Sequence, residues 1–203
     1  MANPKIGTLC DHFDQGSINP ALWSAPAGGS LGSVQEYAVP STLTLTPSYG
    51  GISFPFTMTI PVVACSGATV GLVSNTAYDL TDSGISVQLP YWIRRGTYSA
   101  GFALYSGGSY VGFILSNGGG IGAQDSLGNG NTFTYSASTV AYLRIRENSG
   151  TVYWDYSADG INWTNAFSEA DPFSLTGVNV NLYVTGSGSP PASIAWTNVN
   201  YVL

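Results

Sequence analysis

Short alternating runs, broken every ten residues or so by Gly, Ser, Asn and Pro clusters, run through most of this chain, and that spacing constrains its fold more than any other feature. The breaks read "AGG", "SYGG", "YSGGS", "SNGGG", "LGNGN", "NSG", "ADG" and "GSGSPP". Each supplies residues that tolerate tight turns. Helical periodicity is almost absent. The runs predict strands over 33–39, 43–46, 54–63, 67–73, 84–88, 99–105, 110–116, 120–124, 132–135, 141–147, 151–157, 178–185 and 192–202. No linker exceeds a few residues and no period of 20–50 residues repeats. The expectation is one all-β domain over 1–203, a sandwich of two antiparallel sheets, with residues 1–9 as an N-terminal arm.

The segment "YLRIRENSGTVYWDYSADGINWT" sets a register. With Ser149-Gly150 as a two-residue turn, Ile145 faces Trp154 and Leu143 faces Tyr156. Arg144 then lies opposite Asp155 on the other face, as a cross-strand charge pair. Reading Asp159-Gly160 as a second two-residue turn puts Tyr156 opposite Trp163. Leu143, Ile145, Val152, Trp154, Tyr156 and Trp163 would then form one wall of the core.

Composition narrows the function. Charged residues make up 8% of the chain, and the net charge is −6. The basic residues are Lys5, Arg94, Arg95, Arg144 and Arg146. They form no basic stripe, so nucleic acid is not an expected partner. No apolar run is long enough to span a membrane. The start, "MANPKIGTLCDHFD", lacks an apolar signal segment. Without an oxidising destination, Cys10 and Cys65 read as free thiols rather than a bridge.

A resemblance joins these pieces. The hairpin segment, "GFALYSGGSYVGFILSNGGGIGA" before it, "DHFDQGSINPALW" near the start and "TAYDLTDSGISVQL" occur in an order that resembles the concanavalin A-like lectin/glucanase superfamily. The resemblance covers roughly residues 10–201. It implies a jelly roll of two curved antiparallel sheets. Modules of this type rich in Gly, Ser, Tyr and Asn look most like bacteriophage tail or capsid accessory proteins.

Glycosidases of this fold carry Glu-x-Asp-x-x-Glu on one strand, so that alternation puts the carboxylates on one face. The nearest match is "EADPFS", where Ser174 takes the third position and Pro172 interrupts the strand. Glu169 and Asp171 therefore read as a solvated loop. His12, within "CDHFD", has no nucleophile elbow to serve. "SADGINW" differs from a sialidase Asp-box by one residue and reads as a turn.

Sugar binding calls for flat aromatic faces with amide or carboxylate groups beside them. "PYWIRRGTYS" offers Tyr91, Trp92, Arg94 and Arg95; "LYSGGSY" adds Tyr105 and Tyr110; "AQDSLGNGN" adds Asp125 and Asn129. Against this, Tyr91 and Trp92 could plug the sandwich edge. Calcium at Asp125 would need six to eight oxygens and is not favoured; no cofactor is expected. The leading expectation is a non-enzymatic virion surface protein that attaches to host glycan, to other virion proteins or to both, as a homo-oligomer. It would be made in the host cytoplasm. A structural decoration protein and a polysaccharide hydrolase are the alternatives.

Overall fold

Ser149 and Gly150 both have positive φ, 53° and 79°, the left-handed pair that a two-residue hairpin turn requires. Leu143 accordingly pairs with Tyr156, Arg144 with Asp155 and Ile145 with Trp154. The buried Glu147 carboxylate accepts the backbone N–H of Gly150 and of Asp82, which ties this turn to the neighbouring segment.

The computed structural model describes residues 2–11, 13, 18–27, 29–31, 33–37, 39–45, 69–93, 97–116, 118–187, 193–197 and 199–200. Among them, a 3₁₀ turn at Ile6–Thr8 precedes fifteen strands and there is no α-helix. The strands are β1 (Trp23–Ser24), β2 (Ser30–Leu31), β3 (Ser33–Tyr37), β4 (Val39–Leu45) and β5 (Thr69–Ser74). Then come β6 (Gly84–Ile93), β7 (Thr97–Ser106), β8 (Ser109–Leu115), β9 (Gly120–Asp125) and β10 (Gly130–Thr134). The last are β11 (Tyr142–Asn148), β12 (Thr151–Ser157), β13 (Trp163–Ala170), β14 (Asn179–Ser187) and β15 (Ser193–Thr197).

Two sheets result. The first runs β1-β5-β14-β7-β8-β9-β10, with β2 also paired to β5. The second runs β13-β12-β11-β6-β15-β4-β3. Strands β7 to β10 form a meander, while β14 returns from far along the chain to sit between β5 and β7. Inward residues of both sheets make one core. Trp154, Trp196, Phe102 and Phe113 are its largest fully buried side chains apart from Phe13. A ring such as Trp154 removes 150–250 Å² from water, and at roughly 25 cal/mol per Å² that burial is a large favourable contribution. The Trp154 indole N–H also donates to the Gly112 carbonyl of the facing sheet at 3.0 Å. The expected arm instead buries Ile6 and Leu9, and the Lys5 ammonium meets the Asp79 carboxylate at 2.7 Å.

The structure corrects two expectations. Trp163 pairs with Ser157, not Tyr156, so it faces outward. Asp159 Oδ1 accepts the N–H of both Ile161 and Asn162, widening the turn beyond two residues. That one-residue slip puts Trp163 and Asn165 on the outer face, until a bulge at Ala166 restores the alternation and turns Phe167 and Glu169 inward opposite Trp154 and Val152. The strand β13 was also not expected. Its edge position leaves it mostly exposed, so "WTNAFSEA" carries no apolar alternation to read. The candidate strand at 54–63 lies outside the described residues.

Candidate functional site

Among the described residues, the outward face of the first sheet presents rings and amides without charge. In β7 and β8, Phe102, Leu104, Val111 and Phe113 point into the core and are fully buried. Strand alternation therefore turns Tyr105 and Tyr110 outward. They are direct cross-strand partners, with ring centroids 5.4 Å apart. Gln124 extends the group from β9, its amide donating to the Tyr110 hydroxyl at 2.8 Å. Tyr183 joins from β14, hydrogen-bonded to Tyr105 through the phenol groups. Burial is the main reason why both phenols ionise above the ordinary tyrosine range, Tyr183 well above it.

Glycine makes this surface flat. A Cβ on Gly101 would lie 2.4 Å from a Tyr183 ring carbon, so the ring rests directly on the backbone of β7. Tyr183 and Gly101 are cross-strand neighbours. The outcome is a platform of three tyrosines and one glutamine, anchored by hydrogen bonds among themselves. Such a surface can stack against a sugar ring and bond to its hydroxyls.

The turn between β9 and β10 forms the rim of the platform. Asp125 follows Gln124 but points inward and is 1% exposed. Its carboxylate accepts the N–H of Leu127 at 3.0 Å and of Asn129 at 2.8 Å, and the Asn129 amide at 3.2 Å. Asp125 therefore shapes the turn and leaves Asn129 exposed on it.

Behind this rim stands Glu169. It pairs with Val152, an inward residue, so it faces inward from the edge strand β13 toward the first sheet. Its Oε1 is buried without a hydrogen-bond partner. Burial, then the negative charge of Asp125, raises its carboxyl above the usual range, while a hydrogen bond with Asn129 acts the other way. Asp171 behaves alike: Oδ1 is buried without a partner, and burial followed by the charge of Glu147 raises the carboxyl. The expected solvated loop is therefore corrected. Both carboxyls are partly desolvated: β13 brings Glu169 against the β9–β10 turn, and Asp171, just past β13, sits beside the β11–β12 turn, its backbone N–H donating to the Gly150 carbonyl. Sequence spacing hid this, since the partners Asp125 and Glu169 belong to different sheets.

The remaining candidates are scattered. Tyr91 and Trp92 lie in β6 of the second sheet, opposite Ala195 and Ile194, rather than in a polar connection beside Tyr105. Arg94, Arg95, His12 and Cys65 lie outside the described residues. Cys10 is a free, exposed thiol. Among the described residues no group of three or more His, Cys, Asp or Glu side chains is placed to hold a metal.

No known family profile and no curated protein matches the chain. Solved structures do. The GH16 protein of a Bacteroides ovatus mixed linkage glucan PUL, in complex with product, shares 7% identity at a TM-score of 0.63, over 96% of this chain and 99% of that one. A prokaryotic β-1,3-1,4-glucanase (lichenase) from a mouse hindgut metagenome shares 10% at 0.59, over 94% and 97%. The Crh5 transglycosylase in complex with NAG shares 11% at 0.63, over 98% and 86%. The chain thus has the all-β, concanavalin A-like jelly-roll fold implied by the sequence resemblance. The same structures overturn the expectation of a non-enzymatic virion attachment protein. That expectation rested on a lectin-like module, whereas these proteins, alike over nearly the whole chain, are glycan-acting enzymes.

Proposed function

We propose that the chain is a polysaccharide-acting enzyme, a glycoside hydrolase or transglycosylase, that lays a neutral glycan on the Tyr105–Tyr110–Tyr183 platform and acts on it at the adjoining rim. One observation carries this reading: Glu169, a carboxyl with raised proton affinity and an unpartnered oxygen, stands behind the rim of an uncharged aromatic surface, with Asp171, raised and unpartnered in the same way, two residues along the chain. Glycosidic cleavage needs one carboxyl protonated to serve the leaving oxygen and another ionised. Glu169 suits the acid, because burial and the nearby Asp125 charge raise its carboxyl above the usual range. Asp171 is the second carboxyl, and it must ionise above its own raised range for the pair to act. Asp125 has its oxygens occupied by N–H donors and contributes through its charge. The glycan-acting neighbours of the same fold support the reading.

The platform departs from glycosidases carrying Glu-x-Asp-x-x-Glu on one strand. Its strand β8 turns Tyr110, Gly112 and Ile114 outward and carries no carboxylate on that face. The proposed acid therefore comes from the opposite sheet. Reducing-end release and transfer products should be measured on mixed-linkage glucan, laminarin, chitin oligomers and mucin glycans. The wild type should convert at least one of them. Glu169→Gln should be slower by about 10²-fold or more while still folded. An inert wild type, or a Glu169→Gln variant of full activity, would overturn the proposal.

A further inference from the structure

The outward face of the second sheet holds a different arrangement, unused by the reading above. Arg144 and Arg146 project from β11 and share one counterion. Arg144 Nε and Nη2 donate to Asp155 Oδ2 at 3.0 and 2.8 Å, and Arg146 Nε donates to the same oxygen at 2.8 Å. Asp155 is 2% exposed, and Asn165 completes its bonding through Oδ1. Each guanidinium also lies over a ring: Arg144 over Trp163 at 4.1 Å and Arg146 over Tyr153 at 3.9 Å. Carboxylate and rings together hold the planes of two arginines in place.

Fixing the Nε edge of Arg146 leaves both its terminal amino groups without an acceptor among the described residues, and Arg144 Nη1 likewise. These groups line a cleft of about 520 Å³ with Gly84, Ser86, Asn148 and Asn200. The absence of a side chain at Gly84, the cross-strand partner of Arg146, keeps its floor open. Two acids also face the cleft. Glu147 is buried and already accepts two backbone N–H groups, and Asp82 is exposed at the mouth.

We infer that this cleft is a second binding site, on the face opposite the platform, for the oxyanion of an acidic glycan: a uronate carboxylate or a sulfate. Asp155, Glu147 and Asp82 leave the cleft no excess of positive charge, but each of these carboxylates already has N–H partners of its own, and the remaining fork of guanidinium N–H groups matches a planar or tetrahedral oxyanion. The cleft exceeds what a lone ion fills, and apart from the two acids and two glycines its remaining lining, Ser83, Ser86, Asn148 and Asn200, is hydroxyl and amide. In a chain of net charge −6 with five basic residues, two are committed here.

Calorimetric titration with oligogalacturonate, a sulfated oligosaccharide, sodium sulfate and a neutral cello-oligosaccharide tests the inference on the intact chain. One of the two acidic oligosaccharides should bind saturably, more tightly than sulfate alone, and weaken with added salt. Arg146→Gln should weaken it about tenfold or more, and Ser86→Leu should block it by filling the floor while leaving both arginines paired. Activity at the platform should be unchanged in both variants, which separates failure here from failure of the enzyme reading. Binding of the neutral oligomer alone, equal binding of sulfate and the acidic oligosaccharides, full affinity in Ser86→Leu or no binding of any probe would overturn it.

Discussion

The two outward faces of this sandwich are built on the same strand alternation and carry opposite chemistry. On the first sheet Tyr105, Tyr110, Tyr183 and Gln124 hydrogen-bond to one another, and glycine beneath Tyr183 lets the ring lie flat. On the second sheet the rings of Trp163 and Tyr153 serve as supports for Arg144 and Arg146, which Asp155 draws together. Aromatic residues thus mean different things on the two sides. Where no cation lies within reach the ring face stays available to a ligand; where one does, the ring orients it. With only 8% of residues charged, concentrating charge on one face leaves the other neutral.

Trp154→Ala should break both faces at once. Trp154 fills the core and holds the Gly112 carbonyl beneath the platform, so a loss of about 3–5 kcal/mol is expected from chemical denaturation. An equally stable variant would refute the coupling of the sheets.

Asp155→Ala should damage the second face alone, by about 3 kcal/mol, because two arginines lose their shared partner while still partly buried. Proton NMR of the platform tyrosines should be nearly unchanged; a large shift there would show that the faces are not independent.

Gly101→Ala is the mirror test. The new methyl collides with the Tyr183 ring, and overpacking of this kind costs about 1–3 kcal/mol. The oxyanion cleft should keep its affinity. Unchanged stability would mean that Tyr183 does not rest on β7 as described.

The smallest effect concerns pH. Glu169 and Asp171 have carboxyls raised above their ordinary range. Their contribution to stability is present below the unfolded-state pKa of about 4 and is lost as pH rises through the higher folded values. Glu169→Gln should therefore give a small gain in Tm at neutral pH that vanishes toward pH 4. A loss at neutral pH would place Glu169 in a stabilising contact instead.

The sequence by itself determined the all-β class, the Ser149-Gly150 turn and the register from Leu143 to Tyr156. These depend on local alternation and turn chemistry, which a one-dimensional reading captures. It also singled out Tyr105 and Tyr110, adjacent through one short turn. It placed Trp163 on the wrong face, because the Asp159 carboxylate stretches that turn by hydrogen bonds that spacing does not reveal. Tyr183, Glu169 beside Asp125, and the free edges of Arg144 and Arg146 were decided only by tertiary structure. Tyr183 reaches the platform because β14 inserts beside β7. Glu169 meets Asp125 because edge strands of two sheets close on each other. Desolvation, which raises the Glu169 carboxyl, exists only once that junction has formed.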